Sequence, residues 1–293
     1  MNQKYYQVAD HLFRVSADAD IFALMGNYEP FLTSSAVSPA GDEAVVFTLT
    51  VSPGQAPDFE QELSQDDEGQ EIVCGHTSAD APVYEFRWAG RTAGWLVCTA
   101  DYRTAQLLTT GYSQKLAVDN ALMVLYALST ASLSTVLFHA ATVSYRSRAY
   151  MFLGKSGMGK STHASLWLRH IAGTALVNDD NPVVRVLADG SARVYGSPWS
   201  GKTPCYRAVS YPLGGIVLLS QAPYNRIRRL LSIESYAALV PSISGKRWDT
   251  RIADGLHHTE NALAGGVPVW YLECLPDEAA ARLSCDTIAA DSI

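Results

Sequence analysis

Nowhere in the 293 residues do lysines and arginines gather into a block. The densest basic stretch is NRIRR, Asn225 to Arg229, and a cluster this short reads as a solvated loop. With a formal net charge of −7, the chain is poorly suited to gripping nucleic acid by neutralising phosphates. Paired cysteines are missing too. The five present (Cys74, Cys98, Cys205, Cys274, Cys285) are scattered and form no C-x-x-C, which speaks against a disulfide framework or a zinc ribbon and predicts reduced thiols. Long apolar runs are also scarce: MNQKYYQVADHLFRV lacks the apolar core of a signal peptide, and ALMVLYAL falls short of the roughly 20 residues that cross a bilayer. These absences predict a cytoplasmic protein with neither a membrane nor a nucleic acid as partner.

What is present is a globular composition, 48% hydrophobic and 17% charged, long enough for one large or two modest domains. Over residues 1–112, AVVFTLTV, PVYEFRWAG and TAGWLVCTADY alternate in the manner of strands, separated by the polar turns SPAGDE and SQDDEGQ. This predicts an antiparallel, strand-rich α+β domain. The alternating aromatics of VYEFRWAG suit a half-buried sheet and equally an edge that binds a peptide. From Ser113, Leu116, Leu122, Leu125, Tyr126 and Leu128 recur at helical spacing, and a second domain is expected over 113–293, beginning with that helix. Its order reads as strands FHAATVSY and AYMFLG, a glycine loop, the helix STHASLWLRHI and the strand TALVNDD, which together make a βαβ unit. A hairpin around Asp189-Gly190, a buried strand PLGGIVLLS, a helix ending near Pro241, a strand VPVWYLECL and a helix PDEAAARL follow.

The glycine loop carries the chemistry. Gly154, Gly159, Lys160 and Ser161 satisfy G-x-x-x-x-G-K-[ST] between a strand and a helix, the context that such a phosphate-binding loop requires. Glycines let successive backbone N–H groups turn inward, the helix directs its positive end to the same point, and Lys160 supplies a cation. Gly154, Lys155, Ser156, Gly157, Met158, Gly159, Lys160, Ser161 and Thr162 are therefore the expected nucleotide cradle, with the Ser161 hydroxyl on Mg²⁺. Downstream, VNDDNPV sets Asp179 and Asp180 at the carboxyl end of a strand, where ligands of α/β sheets collect. Adjacent strand residues face opposite ways, so one carboxylate reaches a metal while the other points elsewhere. The pair suits ATP hydrolysis as well as a kinase, and DDNP is also an ordinary turn. His139, among apolar and small residues, is by itself an ordinary core or turn histidine.

Together, His139, GKSGMGKST and LVNDD resemble the bacterial HPr kinase/phosphorylase family and its relatives, in order and in approximate spacing. The resemblance spans His139 to Val184 with specific motifs and the rest of the C-terminal half more loosely. It implies a nucleotide-binding domain of the phosphoenolpyruvate-carboxykinase-like class behind a strand-rich N-terminal region. It implies ATP and Mg²⁺ as cofactors, Asp179 as the base for an acceptor hydroxyl with His139 close beside it, Lys160 on the transferring phosphoryl group, and Asp180 with Ser161 on the metal. YGSPWSGKTPCYR is similar to a P-W-x-G-K stretch of the family's relatives, which makes Lys202 a further catalytic candidate, with Arg207 nearby. Ala140 and Asn178 depart from the family's glycine and alanine, and the downstream signature that serves HPr docking has no convincing copy. Lys246, Arg247, Arg251 and the pair His257-His258 are lesser candidates. The reading is an ATP-dependent kinase acting on a hydroxyl of a peptide, protein or small molecule. The alternative is a non-kinase P-loop ATPase or nucleotide-sensing module, and a homo-oligomer is left open.

Overall fold

The structure, a computed structural model, describes residues 1–33, 45–67, 69–201 and 203–290. The turn SPAGDE and Lys202 therefore lie outside the described residues, as does Glu68 of SQDDEGQ. The chain is a mixed α/β protein whose contacts divide it into two compact units, Met1–Thr130 and Ala131–Ile293. The division falls at the end of the long helix rather than before it. The helix expected to open the second unit belongs to the first, because its apolar face is buried on the N-terminal sheet.

In the first unit the elements are β1 Asn2–Val8, β2 His11–Ala17, α1 Ala19–Ala23, β3 Leu32–Thr33, β4 Val45–Pro53, β5 Glu60–Asp67, β6 Gln70–His76, β7 Pro82–Trp88, β8 Arg91–Cys98, β9 Thr104–Thr109 and α2 Gln114–Thr130. The strands form one sheet in the order β3-β1-β2-β4-β9-β8-β7-β6-β5. The expected antiparallel arrangement holds except at the centre, where β4 runs parallel to both β2 and β9. The chain leaves β4 for the far edge at β5, and the meander from β5 through β8 works back until β9 lies beside β4 in the same direction. Alternation along β2 and β4 buries Phe13, Val15, Phe47 and Leu49, and the Phe13 and Phe47 rings stack at 4.8 Å. Tyr126 of α2 meets Phe13 edge-on and donates its hydroxyl to Val8 O at 3.0 Å. The helical stretch Gln114–Leu133 is, by length and a mean hydropathy of 1.4, apolar enough to cross a membrane, longer than the apolar runs suggested. Its window is 61% buried within the protein, as in a core helix.

In the second unit the elements are β10 Thr135–Leu137, β11 Ala141–Tyr145, β12 Arg148–Leu153, α3 Lys160–His170, β13 Ala175–Asn178, β14 Val183–Val186, β15 Ala192–Tyr195, β16 Ser210–Gln221, β17 Arg226–Arg229, α4 Ser232–Leu239, α5 Thr250–Gly266, β18 Val269–Cys274 and α6 Glu278–Ile288. The long β16 begins antiparallel to β15 and continues parallel to β12 and β18. The expected hairpin at Asp189-Gly190 joins β14 to β15. The basic stretch NRIRR is not a loop. Arg226–Arg229 form β17, antiparallel to β18, with Ile227 packed on the core and the Arg228 and Arg229 guanidinium groups over the Tyr271 and Trp270 rings.

α3 links β12 to β13, which run in the same direction, but antiparallel β11 lies between them. The crossover is thus a βαβ unit with an inserted strand. Its consequence for the site is geometric: β12 and β13 end, and β11 begins, at one edge of the sheet.

Trp167, Ala164 and Leu166 of α3 pack with Tyr150 and Phe152 of β12. His163 joins them, 3% exposed, its Nε2 3.0 Å from Ser284 Oγ of α6. Ser284 also receives the Trp167 indole N–H at 2.9 Å and gives its proton to Ala281 O. Burial pushes the His163 imidazole down from 6.5 to about 4. Between those values the unfolded chain binds a proton that the folded one refuses, so stability present above pH 6.5 is lost as pH falls toward 4. The expected slope is about 1.4 kcal/mol per pH unit in that window from this group. Urea denaturation at several pH values should show that slope, and His163→Gln should flatten it; equal slopes in the two proteins would show that His163 titrates freely in the fold.

Candidate functional site

The glycine loop follows from the end of β12. Beyond Leu153 the chain turns through Gly154 to Gly159, with Met158 N–H donating to Lys155 O at 3.1 Å. It enters α3 directly through Gly159, whose φ of +97° is a left-handed value that L side chains rarely adopt. The side chain of Gln221, at the carboxyl end of β16, donates to Gly157 O at 3.2 Å, fastening the loop to the neighbouring strand. Lys160, the first residue of α3, is 8% exposed. Its ammonium donates to Gly154 O at 3.0 Å and to Lys155 O at 3.4 Å. The positive charge is therefore held inside the curl of the loop, beside the helix end whose peptide dipoles add to it. Ser161 and Thr162 follow in the first turn and are exposed. A loop of this form, with cation and helix terminus coincident, is suited to an anion such as a phosphate.

The aspartates stand at the end of β13. Asp179 is 5% exposed and accepts Thr203 N–H at Oδ2, 3.3 Å away. Asp180 presents a side chain 33% exposed. At the start of β11, Ala140 N–H donates to Asp180 O at 2.8 Å and Phe138 N–H to Pro182 O at 3.0 Å, so the two chain segments are laced together. This lacing sets His139 Nε2 3.9 Å from Asp180 Oδ1. The structure sets His139 beside Asp180, while Asp179 accepts from the Thr203 N–H.

The stretch YGSPWSGKTPCYR, expected to contribute Lys202, instead meets the aspartate turn through Asn178, Ser197, Trp199 and Gly201 among the described residues. Asn178 is fully buried, and its Oδ1 accepts both Asp180 N–H and Asn181 N–H at 2.8 Å. Its amide nitrogen donates to Ser197 Oγ at 3.1 Å and Trp199 O at 2.9 Å. Gly201 then passes so close to the pair that a Cβ there would lie 3.2 Å from Asp180 Cβ. Farther along, Cys205 Sγ and Arg207 Nη1 reach Val177 O and Leu176 O. Arg207 is thereby a clamp on β13. Burial raises the Cys205 thiol's pKa, with Arg207 opposing and Asp179 adding to the rise. Asparagine at a strand end beside two aspartates is a turn signal, and its departure from the alanine of the resembling family is the other mark the position carries.

The remaining candidates form other groupings. Arg247 donates to the wholly buried Glu260 at 2.6 Å and to Val240 O at 2.9 Å. Tyr236 lies 2.7 Å from His257 Nδ1 and 3.1 Å from Glu260 Oε2, closing a network between α4 and α5. Lys246 stands over the Trp248 ring, Arg251 Nε lies 3.7 Å from Asp249, and His258 is exposed. Among the described residues, no group of three or more histidine, cysteine, aspartate or glutamate side chains converges as a metal site. No protein-family model matches this chain, and no curated protein matches it.

The loop's backbone can be tested without any ligand. A Cβ at Gly159 would meet only Thr162 Cβ, at 3.9 Å, so crowding is slight and the left-handed backbone alone opposes a side chain. Gly159→Ala should therefore lower unfolding stability by about 1 to 2 kcal/mol. Chemical denaturation measures it, and an unchanged midpoint would mean the loop relaxes out of this conformation.

Proposed function

We propose that this protein is an ATP-dependent phosphotransferase of the HPr-kinase-like kind, transferring a γ-phosphoryl group to a hydroxyl acceptor in the cytoplasm. The observation that carries the reading is the meeting, at one sheet edge, of a G-x-x-x-x-G-K-S loop with an aspartate pair and a histidine. The five cysteines form no disulfide, in keeping with a reducing compartment.

In this reading the loop from Gly154 to Thr162 holds the β- and γ-phosphates by its backbone amides, and Lys160 exchanges its carbonyl partners for phosphate oxygens. Asp179, held by the Thr203 N–H, takes the proton of the acceptor hydroxyl, a poor nucleophile until a positioned carboxylate receives it. Ser161 and Asp180 are the residues that would hold Mg²⁺. Two oxygen donors suit an ion that keeps several waters and takes its other ligands from phosphates. When bound, the ion would neutralise charge on the transferring group. His139, 3.9 Å from Asp180, orients that carboxylate.

Binding and chemistry are separable by experiment. ATP with Mg²⁺ should raise the melting temperature by mass action, and Lys160→Ala should largely abolish the rise. Asp179→Asn should keep most nucleotide affinity by calorimetry, yet lose about 10²- to 10⁴-fold in transfer of labelled phosphate to a panel of hydroxyl compounds and peptides. Release of inorganic phosphate alone, with no labelled product, would make the protein an ATPase. Transfer by Asp179→Asn at the unaltered rate would remove that carboxylate from the chemistry.

A further inference from the structure

We infer that Asn178 is a positioning residue that locks the aspartate turn to the Ser197–Gly201 segment, so that phosphoryl transfer depends on it and nucleotide binding does not. The inference rests on the kinase reading for its functional half and on geometry for the rest. The Asn178 side chain is fully buried, and both ends of its amide are spent. The oxygen takes two backbone N–H groups, of Asp180 and Asn181, each at 2.8 Å. The nitrogen gives its two protons to Ser197 Oγ and Trp199 O. Ser197, itself wholly buried, returns its hydroxyl proton to Asn181 O at 2.6 Å. The result is a closed ring of hydrogen bonds linking the residues around Asp179 to the segment that passes over Asp180.

No other side chain reproduces this ring. Aspartate offers the acceptors without the donors, alanine offers neither, and glutamine sets the amide one methylene too far out. Because the turn from Asn178 to Asn181 determines where both carboxylates aim, slackening it displaces them together. Displacement of a reacting group by about 1 Å costs about 10²-fold in rate. The glycine loop is outside the ring: its fastenings are Gln221 and Lys160. Asn178 thereby acts on the catalytic carboxylates through the backbone and touches no substrate.

Two arms test this. Amide hydrogen exchange on the unliganded protein needs no assumption about activity. Asn178→Ala should speed exchange at Asp180 and Asn181, and Asn178→Asp, which keeps the acceptor oxygens, should preserve those amides while loosening Thr203. In the kinetic arm, Asn178→Ala should lower kcat by about 10²-fold with the KM for ATP within about 3-fold of the unmodified value. Ser197→Ala should give a smaller loss of the same type. Unmodified exchange at Asp180 and Asn181 in a folded Asn178→Ala protein, or an unchanged kcat, overturns the inference. If Asn178→Ala does not fold, Asn178→Asp decides: uniform loss of protection, or none, refutes the two-sided role. If the unmodified protein transfers phosphate to no acceptor, the kinase reading fails by itself, and the exchange arm still decides whether Asn178 holds the turn.

Discussion

The parallel pairing of β12 with β16 is the constraint on which the second unit depends. Tyr150 to Leu153 lie in register with Gly215 to Leu218, and one face of both strands, Tyr150, Phe152, Val217 and Leu219, is buried with Trp270 and Leu272 of β18 beneath α3 and α6. That pairing fixes the level at which β12 ends, and the glycine loop begins where it ends. The same strand, β16, runs on to Gln221, whose amide holds Gly157 O. One strand thus sets the height of the loop and fastens its tip. Burial of Phe152 and Trp167 supplies the apolar core beneath it, at about 25 cal/mol per Å² of surface removed from water.

The loop was legible in the sequence because its requirements are backbone requirements. Left-handed residues at Gly157 and Gly159 and a helix beginning at the lysine leave a mark in residue type at fixed spacing. The alternation of β4 was legible for a similar reason, since the strand buries one face. Strand direction was not. Nothing in the alternation of Val45 to Pro53 tells whether its neighbours run with it or against it, and β4 proved parallel to both. The place of α2 was equally hidden. Its apolar stripe announces that it must be buried, not on which sheet, and the contacts of Phe13 and Val8 with Tyr126 settle that.

At the site, sequence order gave the candidates but not their pairing. Which aspartate meets His139 depends on the lacing of Ala140 to Asp180 O, a backbone register invisible in the residues themselves. The part played by Asn178 was concealed more deeply, because its partners at 197 and 199 approach only after the β14–β15 hairpin has turned the chain back. Three buried polar pairs of this unit share a common solution. Asn178 with Ser197, His163 with Ser284, and Glu260 with Arg247 each keep their polar atoms engaged, as burial in a low dielectric demands.

The segment from Cys205 to Arg207 has a second consequence. Among the described residues β13 is the last strand on its side of the sheet and pairs with β11 alone, and such a strand offers its carbonyls to any extended chain that comes near. Cys205 and Arg207 occupy the carbonyls of Leu176 and Val177, and a bulky cation stands where a neighbouring strand would have to lie. The stretch that crosses the aspartates is therefore also the guard of an adhesive border. If the proposed kinase reading holds, movement of that stretch to admit a large acceptor would bare the border for as long as the acceptor stayed, so that transfer to a protein and resistance to self-association would draw on the same few residues.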